Sequence, residues 1–365
     1  MSERAFLPGL TMAAFLSLSL AGCAVLAPVP TPTPRLILLP PRPVEQSTAT
    51  STPVPVATAK AIPRPTATPP PTAAPVITAT ADTGVFRRAV PTGRILVQTS
   101  SGGDIYVVNA DGSGLARLTA GIDPAWSPDG TRIAFTRWDP PQGLYLMNAD
   151  GSDLHRVLDV AEAKSPTWSP DGSRIAFAHR EFVPVPATRR RPAGQKELWR
   201  ISAVDLADGG LIDFPVDPDG YAFSPAWGST NKLAYRGVWG PYVTDLAGPP
   251  QRLITGTLYD SPAWSPDGSR LALMVKTHDH WDLAVINADG SGLALLTQTA
   301  PFSPRPINNV APAWSPDGRH IAFVTDREGD WKIYVMNADG SDQRKLLDVP
   351  VTYGFVSERT LAWAR

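Results

Sequence analysis

The amino-acid sequence predicts an all-β protein, a six-bladed β-propeller that follows a signal peptide and a disordered linker rich in proline and threonine. Two observations support this fold class. A motif close to PAWSPDG recurs five times beyond residue 120, and a short apolar segment follows each copy. The 365 residues also include 40 Pro, 29 Gly and 11 Trp, a composition typical of many short strands joined by turns rather than of long helices.

The charge balance excludes one class of partner. Lysine and arginine number 33 against 34 acidic residues, so the formal net charge is −1, and charged residues make up 18% of the chain. Proteins that bind nucleic acids carry a basic patch or a basic excess. We therefore expect no nucleic-acid partner.

The N-terminus predicts export and a lipid anchor. Arg4 precedes an apolar run from Leu10 to Leu20, which is too short to span a bilayer and suits the core of a signal peptide. The following residues, Leu20 to Cys23, resemble the lipobox of bacterial lipoproteins, whose cysteine sulfur carries the lipid. Residues 1–22 are therefore predicted to be a signal peptide, and Cys23 the lipidated residue that attaches the protein to a membrane of the cell envelope or cell surface. An ordinary secretory signal with an incidental cysteine is the alternative.

Residues 23–84 are predicted to be a lipidated N-terminus followed by a disordered stalk. Fifteen of the prolines lie between Ala27 and Ala79, among many threonines, alanines and valines. Neither a helix nor a sheet persists at this proline density, so an extended chain with polyproline II character is expected. Whether its threonines are glycosylated stays open.

From about Val85 the sequence becomes repetitive. Each repeat contains the tryptophan motif, a segment such as RIAF, a segment that ends in NADG, and a further short apolar segment. Four strands per repeat, in tandem, is the pattern of propeller blades. The motif tryptophans are 188 residues apart from first to last, or 47 residues per interval, and they are Trp126, Trp168, Trp227 (in a degraded copy), Trp264 and Trp314.

The turn motifs have a mechanical explanation. In SPDG the serine side chain caps the turn, proline presets φ at the first corner, aspartate tolerates the second corner, and glycine accepts a left-handed exit. NADG is predicted to form a second hairpin turn, with asparagine and glycine supplying positive φ. The RIAF segments predict strands buried on both faces, and the motif tryptophans predict packing between blades.

These residues resemble the TolB-type, WD-like propeller repeat, and the resemblance covers roughly Thr92 to Arg365 within the predicted propeller domain of residues 85–365. It implies a six-bladed propeller of the kind found in periplasmic and cell-surface proteins and in the gating domain of prolyl oligopeptidases. It does not extend to the α/β domain that precedes the propeller in TolB, because a proline-rich stretch occupies that part of this chain. TolB's partners are therefore not carried over, and fold alone does not define function.

The number of blades follows from the spacing. The 272 residues from Arg94 to Arg365, divided by 47, give about six repeats. Seven segments resemble second strands, because both RILV at 94 and TLAW at 360 qualify, so seven blades is the alternative. We expect the stretch from Val351 to complete the blade that the N-terminal strands begin, although the sequence does not decide which terminal strand lies innermost.

No catalytic constellation is evident in the sequence. A serine hydrolase elbow of the Gly-x-Ser-x-Gly type does not occur. The NADGSD segments resemble the start of a calcium loop but lack the glutamate at its twelfth position, and a solvated loop is favoured over a zinc site for His278 and His280. We predict no metal, no cofactor and no enzymatic activity; the alternative is a propeller-type hydrolase or lyase with a site at the channel mouth.

The loops predict where a partner binds. The SPDG and NADG turns of all blades lie on one face, and the second turns and interblade connections lie on the other, where length and chemistry vary. Aromatic and charged loop residues on a rigid scaffold are typical of a protein- or polymer-binding surface. The candidate residues on this variable face are Trp138, Asp139, Arg189, Arg190, Arg191, Tyr221, Trp239, Tyr259, His278, His280, Trp281, Arg327 and Trp331.

Overall fold

The structure is a computed structural model that describes residues 91–187, 192–217, 220–245, 248–256, 258–300, 303–354 and 358–365. The predictions for the signal peptide, for Cys23, for the linker and for Arg189, Arg190 and Arg191 lie outside these residues.

The described residues form six antiparallel sheets of four strands each, and each sheet is one blade. Blade 1 contains, from the inside outwards, β24 (Leu361–Ala364), β1 (Arg94–Gln98), β2 (Asp104–Asn109) and β3 (Ala116–Ala120). Blade 2 contains β4 (Ile122–Trp126), β5 (Arg132–Arg137), β6 (Gly143–Asn148) and β7 (His155–Leu158). Blade 3 contains β8 (Lys164–Trp168), β9 (Arg174–Val185), β10 (Gly194–Asp205) and β11 (Leu211–Asp213).

The other three blades follow the same order. Blade 4 contains β12 (Phe223–Trp227), β13 (Leu233–Gly237), β14 (Gly240–Thr244) and β15 (Gln251–Arg252). Blade 5 contains β16 (Tyr259–Trp264), β17 (Arg270–Thr277), β18 (His280–Asn287) and β19 (Ala294–Leu295). Blade 6 contains β20 (Asn309–Trp314), β21 (His320–Thr325), β22 (Lys332–Asn337) and β23 (Arg344–Leu347).

The blades close into a ring. The first strands of neighbouring blades contact one another in the order β4, β8, β12, β16, β20, β24 and back to β4. β24 pairs with β1 from Arg94↔Ala364 to Val97↔Leu361, so the last strand of the chain is the innermost strand of the first blade. The prediction of six blades and of circular closure is confirmed.

The second strand of each blade forms the core. In β5 the side chains of Ile133, Ala134 and Phe135 are fully buried, and the corresponding residues of the other RIAF-like segments are equally buried. These strands are covered on both faces because each sheet packs against the sheets of two neighbouring blades. The small alanine at the centre of each segment lets adjacent sheets approach closely.

The first strand of blades 2 to 6 carries a β-bulge at one position. The residue before the proline has positive φ there, for example 57° at Asp123 and 51° at Ser165, and the register with the second strand shifts at this point. Proline follows because this edge faces the central channel, where an N–H group would lack a ladder partner.

Blade 3 carries an insertion at residues 181–196, between its second and third strands, which is mostly paired strand rather than loop. β9 and β10 pair continuously from Arg174↔Asp205 to Val185↔Gly194. The segment from Glu181 is therefore largely a hairpin arm. β9 has 12 residues, against five to eight in the second strands of the other blades, so at ~3.3 Å per residue the arm is longer by about 13–23 Å.

Within the part of the chain that the structure describes, no helix is long and apolar enough to cross a membrane.

Candidate functional site

The propeller has two faces with different turns. The motif face consists of the SPDG and NADG turns, which include residues 127–131, 169–173, 265–269 and 315–319 near the axis and 109–113, 148–152, 287–291 and 337–341 near the rim. The variable face consists of the turns between second and third strands, such as 138–142, 238–239, 278–279 and 326–331, together with the connections between blades.

The SPDG turns are closed by their own side chains. Ser265 Oγ donates to Asp267 Oδ1 at 2.6 Å and accepts from the N–H of Arg270 at 3.0 Å. The hydroxyl of Ser265 and the N–H of Ser269 lower the pKa of Asp267 to about 2, because both donate to its ionised carboxylate. Gly268 has φ of 69°, which requires glycine. The serine hydroxyl is thus committed to the turn, and the same bonds recur at Ser127, Ser169 and Ser315.

The NADG turns differ from their prediction in one respect. Gly340 has φ of 87°, whereas Asn337 is not among the residues with positive φ. Asn337 instead uses its side chain: Nδ2 donates to Ser341 Oγ at 2.8 Å, and Ser341 Oγ donates to Asp339 Oδ1 at 2.6 Å. Asparagine is required here as a donor across the turn rather than for its backbone freedom.

The motif tryptophans pack between blades, as predicted. The indole Nε1 of buried Trp168 donates to the carbonyl of Ala125 in the preceding blade at 3.2 Å. Trp264 and Trp314 make the same bond to Ala226 and Ala263. An arginine of the preceding blade lies over the ring in the pairs Arg94 with Trp126, Arg132 with Trp168 and Arg270 with Trp314.

The predicted residues of the variable face differ in exposure. The exposed ones are Asp139, Tyr221, Trp239 and His278. The half-buried ones are Trp138, Tyr259, Trp281, Arg327 and Trp331, and His280 is buried. The exposed group lies in loops at the surface, where a partner can reach it.

Several half-buried tryptophans have structural roles. Trp138 Nε1 donates to the carbonyl of Ala163 at 2.8 Å. Trp331 packs against Tyr353 with ring centroids 5.4 Å apart. The backbone N–H of Trp281 donates to Asn308 Oδ1 at 3.1 Å, and Trp281 lies within β18 rather than in a loop. These rings fix loop bases and connections to the blades.

Arg327 is also structural. Its guanidinium lies over the rings of Phe323 and Tyr334 and donates to Asn309 Oδ1 at 3.0 Å and to Gln343 Oε1 at 2.9 Å. Burial lowers its pKa. Because these N–H groups already donate to residues of the same fold, few N–H donors of Arg327 remain for a partner.

The two histidines of the HDH segment, His278 and His280, differ in exposure. His278 is exposed, with φ of 56°, in the tight turn between β17 and β18. His280 is 2% exposed. Its Nδ1 lies 3.0 Å from Asp279 Oδ1, and its Nε2 lies 3.1 Å from Asp282 Oδ2 and 2.9 Å from Thr277 Oγ1. The expectation of a solvated loop is wrong for His280, because the turn uses only two residues and places it inside the strand.

An aromatic stack leads from the core of blades 3 and 4 to the variable face. The ring of Trp199, which is 9% exposed, lies 4.9 Å from that of Phe223, and the ring of Phe223 lies 6.3 Å from that of Tyr221. Tyr221 is 37% exposed at the end of the stack. The loop aromatic is therefore held in a fixed orientation by rings beneath it.

Two exposed apolar residues of the variable face were missed by the sequence analysis. Phe182, in the hairpin arm, is 51% exposed, and Leu258, in the connection between blades 4 and 5, is 49% exposed. The signal for Phe182 was its place in the insertion, whereas nothing in the sequence distinguishes Leu258 from the buried leucines.

A serine, a histidine and an aspartate meet at the base of the hairpin arm in an order unsuited to nucleophilic catalysis. Ser202 Oγ donates to Asp213 Oδ1 at 2.6 Å and lies 2.8 Å from His179 Nε2. A catalytic serine gives its proton to the histidine, which the aspartate orients. Here the serine proton points to the aspartate, and burial lowers the pKa of His179.

Charged residues close the centre of the channel. The guanidinium of Arg359 donates to the carbonyls of Pro166 and Pro225, both at 2.8 Å, and its backbone N–H donates to Asp123 Oδ1 at 2.6 Å. Asp123 is fully buried and also accepts from the N–H of Ser165 at 2.8 Å. Burial lowers the pKa of Arg359. This cluster was missed, because Arg359 belongs to no repeated motif.

Glu358, beside Arg359, joins the same cluster. It accepts hydrogen bonds from Gln98 Nε2 at 2.9 Å and from Ser101 Oγ at 2.7 Å. Burial, and secondarily the nearby charge of Asp123, raises the pKa of Glu358. Glu358 thus ties the C-terminal segment to the first blade, and Arg359 ties it to blades 2, 3 and 4.

A cavity of about 560 Å³ opens at the centre of the motif face. Its walls come from the first strands of all six blades and from the turns that follow them in blades 2 to 6, and the charged residues Arg359 and Arg365 also line it. The aromatic lining consists of Trp126, Trp168, Trp227, Trp264, Trp314 and Trp363. The sequence analysis treated this face as stereotyped and did not predict a concave site there.

In the described ranges, no group of three or more histidine, cysteine, aspartate or glutamate residues is arranged to hold a metal ion.

Comparisons with known proteins agree with the fold. Residues 221–350 match the family described as the TolB beta propeller domain, which confirms the resemblance predicted from the motifs. No curated protein matches the sequence. Among solved structures, TolB from Acinetobacter baumannii is 18% identical with a TM-score of 0.58, over 76% of this chain and 67% of that one.

Two further structures are similar to this chain. A chain of a nidogen/laminin complex is 11% identical with a TM-score of 0.55, over 75% of this chain and 98% of that one. An oligogalacturonate lyase from Vibrio parahaemolyticus is 16% identical with a TM-score of 0.45, over 72% and 74% of the two chains. At these identities the likeness shows the propeller fold alone.

Proposed function

We propose that this chain, a TolB-like six-bladed propeller, is a lipid-anchored extracytoplasmic module that binds a protein or an envelope polymer through its variable face. The proposal assigns it no catalytic activity. Its location follows from the predicted signal peptide and Cys23, and its mode of action from the surface of the propeller.

One observation carries the choice of face. Tyr221 and Trp239 are 37% and 48% exposed in loops of the variable face, and Tyr221 is backed by a rigid stack of rings. Exposed aromatic side chains with little conformational freedom are the usual anchors of protein interfaces. Phe182 and Leu258 add apolar area on the same face.

The comparison with nidogen supports binding as the kind of function. The solved chain that resembles this one over 98% of its own length comes from a complex of nidogen with laminin. A chain of the same fold is thus part of a complex of two different proteins.

The test of the variable face is affinity capture from envelope fractions with the full chain. We expect the double variant Tyr221→Ser, Trp239→Ser to lose at least about tenfold in affinity for the captured partner, because hot-spot aromatics supply ~2 kcal/mol or more each. The matched control is Leu293→Ser with Leu295→Ser, two residues 41% and 48% exposed on the outer edge of blade 5. Equal losses in both double variants would remove the variable face from the proposal.

The anchor is tested separately by Cys23→Ala and membrane fractionation. The native chain is expected in the membrane fraction and the variant in the soluble fraction, since the thiol is the attachment point of the lipid. A variant that still sediments with membranes would mean that something other than Cys23 holds the protein there.

A further inference from the structure

We propose that the cavity at the centre of the motif face is a second binding site, which takes a small organic molecule with an apolar body and one carboxylate. The carboxylate lies beside the guanidinium of Arg359, and the apolar body lies among the tryptophans, prolines and alanines of the walls. The site is on the opposite face from the variable-face surface, so it does not depend on the proposed function.

The walls of the cavity are apolar and largely aromatic. Six tryptophans line it, one from each blade. A volume of about 560 Å³ is in the range of sites that enclose a small ligand. The rest of the apolar lining consists of prolines, alanines and one leucine, which are Ala125, Pro128, Pro170, Ala226, Pro262, Ala263, Pro266, Pro312, Ala313, Pro316, Leu361, Ala362 and Ala364.

The charged side chains that line the cavity are both basic. They are Arg359 and the exposed Arg365, and no aspartate of the SPDG turns is among the lining residues. Further guanidinium groups lie over the rings of lining tryptophans, in the pairs Arg94 with Trp126, Arg132 with Trp168 and Arg270 with Trp314. The turn aspartates are exposed to solvent, where their charge is screened. The charge of the lining is therefore complementary to an anion.

The guanidinium of Arg359 has no carboxylate partner. Its two terminal nitrogens donate to the carbonyls of Pro166 and Pro225, both at 2.8 Å. Among the residues that the structure describes, it forms no ion pair within 4.0 Å and no other hydrogen bond. The carboxylate of Asp123 accepts instead from the backbone N–H of Arg359 and from Ser165. Since a guanidinium has five N–H groups, three remain for a ligand.

This arrangement favours a carboxylate over a neutral group. Burial lowers the pKa of Arg359, against the opposing effect of the charge of Asp123, because a cation is costly to hold away from water. A carboxylate that accepts from the remaining N–H groups forms charge-assisted hydrogen bonds. Its attraction to the guanidinium is stronger between apolar walls than at the surface.

The position of the guanidinium sets the size of the molecule. Arg359 donates at the level of the prolines of the first strands, and the SPDG turns begin three residues later, as from Pro262 to Ser265. Three strand residues rise about 10 Å at ~3.3 Å per residue. A body of two fused aromatic rings with a short acid arm therefore fits between the guanidinium and the opening.

The test is calorimetric titration of the full chain with three small probes. Naphthylacetate has the apolar body and the carboxylate, naphthylacetamide has the same body without the charge, and acetate has the charge without the body. We expect saturable binding of naphthylacetate. The other two probes should bind at least about tenfold more weakly, because each lacks one of the two contacts.

Two arginine variants locate the carboxylate. In Arg359→Met the guanidinium is absent, and we expect the affinities for naphthylacetate and naphthylacetamide to agree within about twofold. Arg319→Met, the matched control, removes an exposed positive charge from the SPDG turn of blade 6, outside the cavity lining, and should leave the ratio of the two affinities at its native value. The ratio is the readout because a loss of stability alone weakens the binding of both probes alike.

A third variant locates the apolar body. Ala364→Trp places a large ring in the wall of the cavity and leaves the charge unchanged, so we expect it to weaken naphthylacetate binding at least about tenfold. Thermal unfolding shows whether each variant is folded. If Arg359→Met does not fold, the three probes on the native chain and the Ala364→Trp variant still decide the question.

Four results would overturn the proposal. They are no saturable binding of naphthylacetate, equal affinity of the native chain for the acid and the amide, a native acid-to-amide ratio in folded Arg359→Met, and native binding by Ala364→Trp. The variant Tyr221→Ser, Trp239→Ser should bind naphthylacetate like the native chain, so failure of this site and failure of the variable face are distinguishable.

Discussion

At the scale of single residues, the repeated aspartates hold the hairpin corners together by charge-assisted hydrogen bonds. Asp267 Oδ1 accepts from Ser265 Oγ, from Ser269 Oγ and from the N–H of Ser269, all within 3.1 Å. Asp129 and Asp171 accept equivalent sets of bonds. Bonds to an ionised acceptor are stronger than bonds to a neutral one, so each corner depends on its carboxylate being charged.

This dependence predicts how stability varies with pH. Donation by serine hydroxyls and backbone N–H groups lowers the pKa values of Asp129, Asp171 and Asp267 from 3.8 to about 2. Because the folded-state pKa lies below the unfolded value, the three carboxylates stabilise the fold above about pH 4, and this contribution is lost as the pH falls towards 2. Replacing all three by asparagine should lower the free energy of unfolding at pH 7 and flatten its decline below pH 4.

Denaturant unfolding at pH 7, pH 4 and pH 2.5 measures the effect. Asp139→Asn, in an exposed loop of the variable face, is the control and should follow the native pH profile. If the triple variant declines between pH 4 and pH 2.5 as steeply as the native chain, the turn carboxylates are not the groups that link stability to pH.

At the scale of strands and turns, the sequence was informative where one physical requirement repeats. Every blade needs a hairpin turn, a second strand buried on both faces and an aromatic side chain packed between blades. The SPDG, RIAF and tryptophan motifs therefore recur, and they could be located from the sequence alone. The degraded copy at Trp227 still forms the first strand of blade 4. The serine in PAWSPDG is thus identified as a turn residue by its repetition.

Elements that occur once were harder to predict. The two-residue turn at His278 and the twelve-residue strands β9 and β10 depend on where pairing ends, which no local motif specifies. β18 begins at His280, and side chains along a strand point alternately to opposite faces, so the side chain of His280 lies on a buried face. Exposure on the variable face also differs between similar turns: Trp138 is half-buried and donates to the carbonyl of Ala163, whereas Trp239 is 48% exposed.

At the scale of the whole molecule, the two ends of the chain have to meet. The ring of a propeller is closed when the last strand of the chain pairs with the first blade. β24 provides this pairing over four residues, and the segment before it supplies bonds across the channel. Glu358 reaches blade 1 through Gln98, and Arg359 reaches blades 2, 3 and 4 through Asp123, Pro166 and Pro225.

The bonds that Glu358 and Arg359 make across the channel could not be predicted from the repeats, because the segment around these residues lacks the repeated motif. In blades 2 to 6 the central position of the first strand is proline, whereas Leu361 takes that place in β24. Arg359 lies two residues before Leu361, and its side chain extends into the channel from the segment that leads into β24, the last strand of the chain. A side chain that bridges several blades matters more to a closed ring than to an open array.

This position predicts a large effect of Arg359→Met. The substitution keeps an apolar stem but leaves the buried carbonyls of Pro166 and Pro225 without their charged donor, which should cost about 2–4 kcal/mol of unfolding free energy. Arg365→Met, exposed at the end of the chain, is the matched control and should stay within about 0.5 kcal/mol of the native chain. Denaturant unfolding followed by tryptophan fluorescence compares the two, since the tryptophans lie between the blades. A native-like denaturation midpoint for Arg359→Met would show that β24 pairing alone closes the ring. A lower midpoint with one cooperative transition would show that the guanidinium joins the blades into a single folding unit.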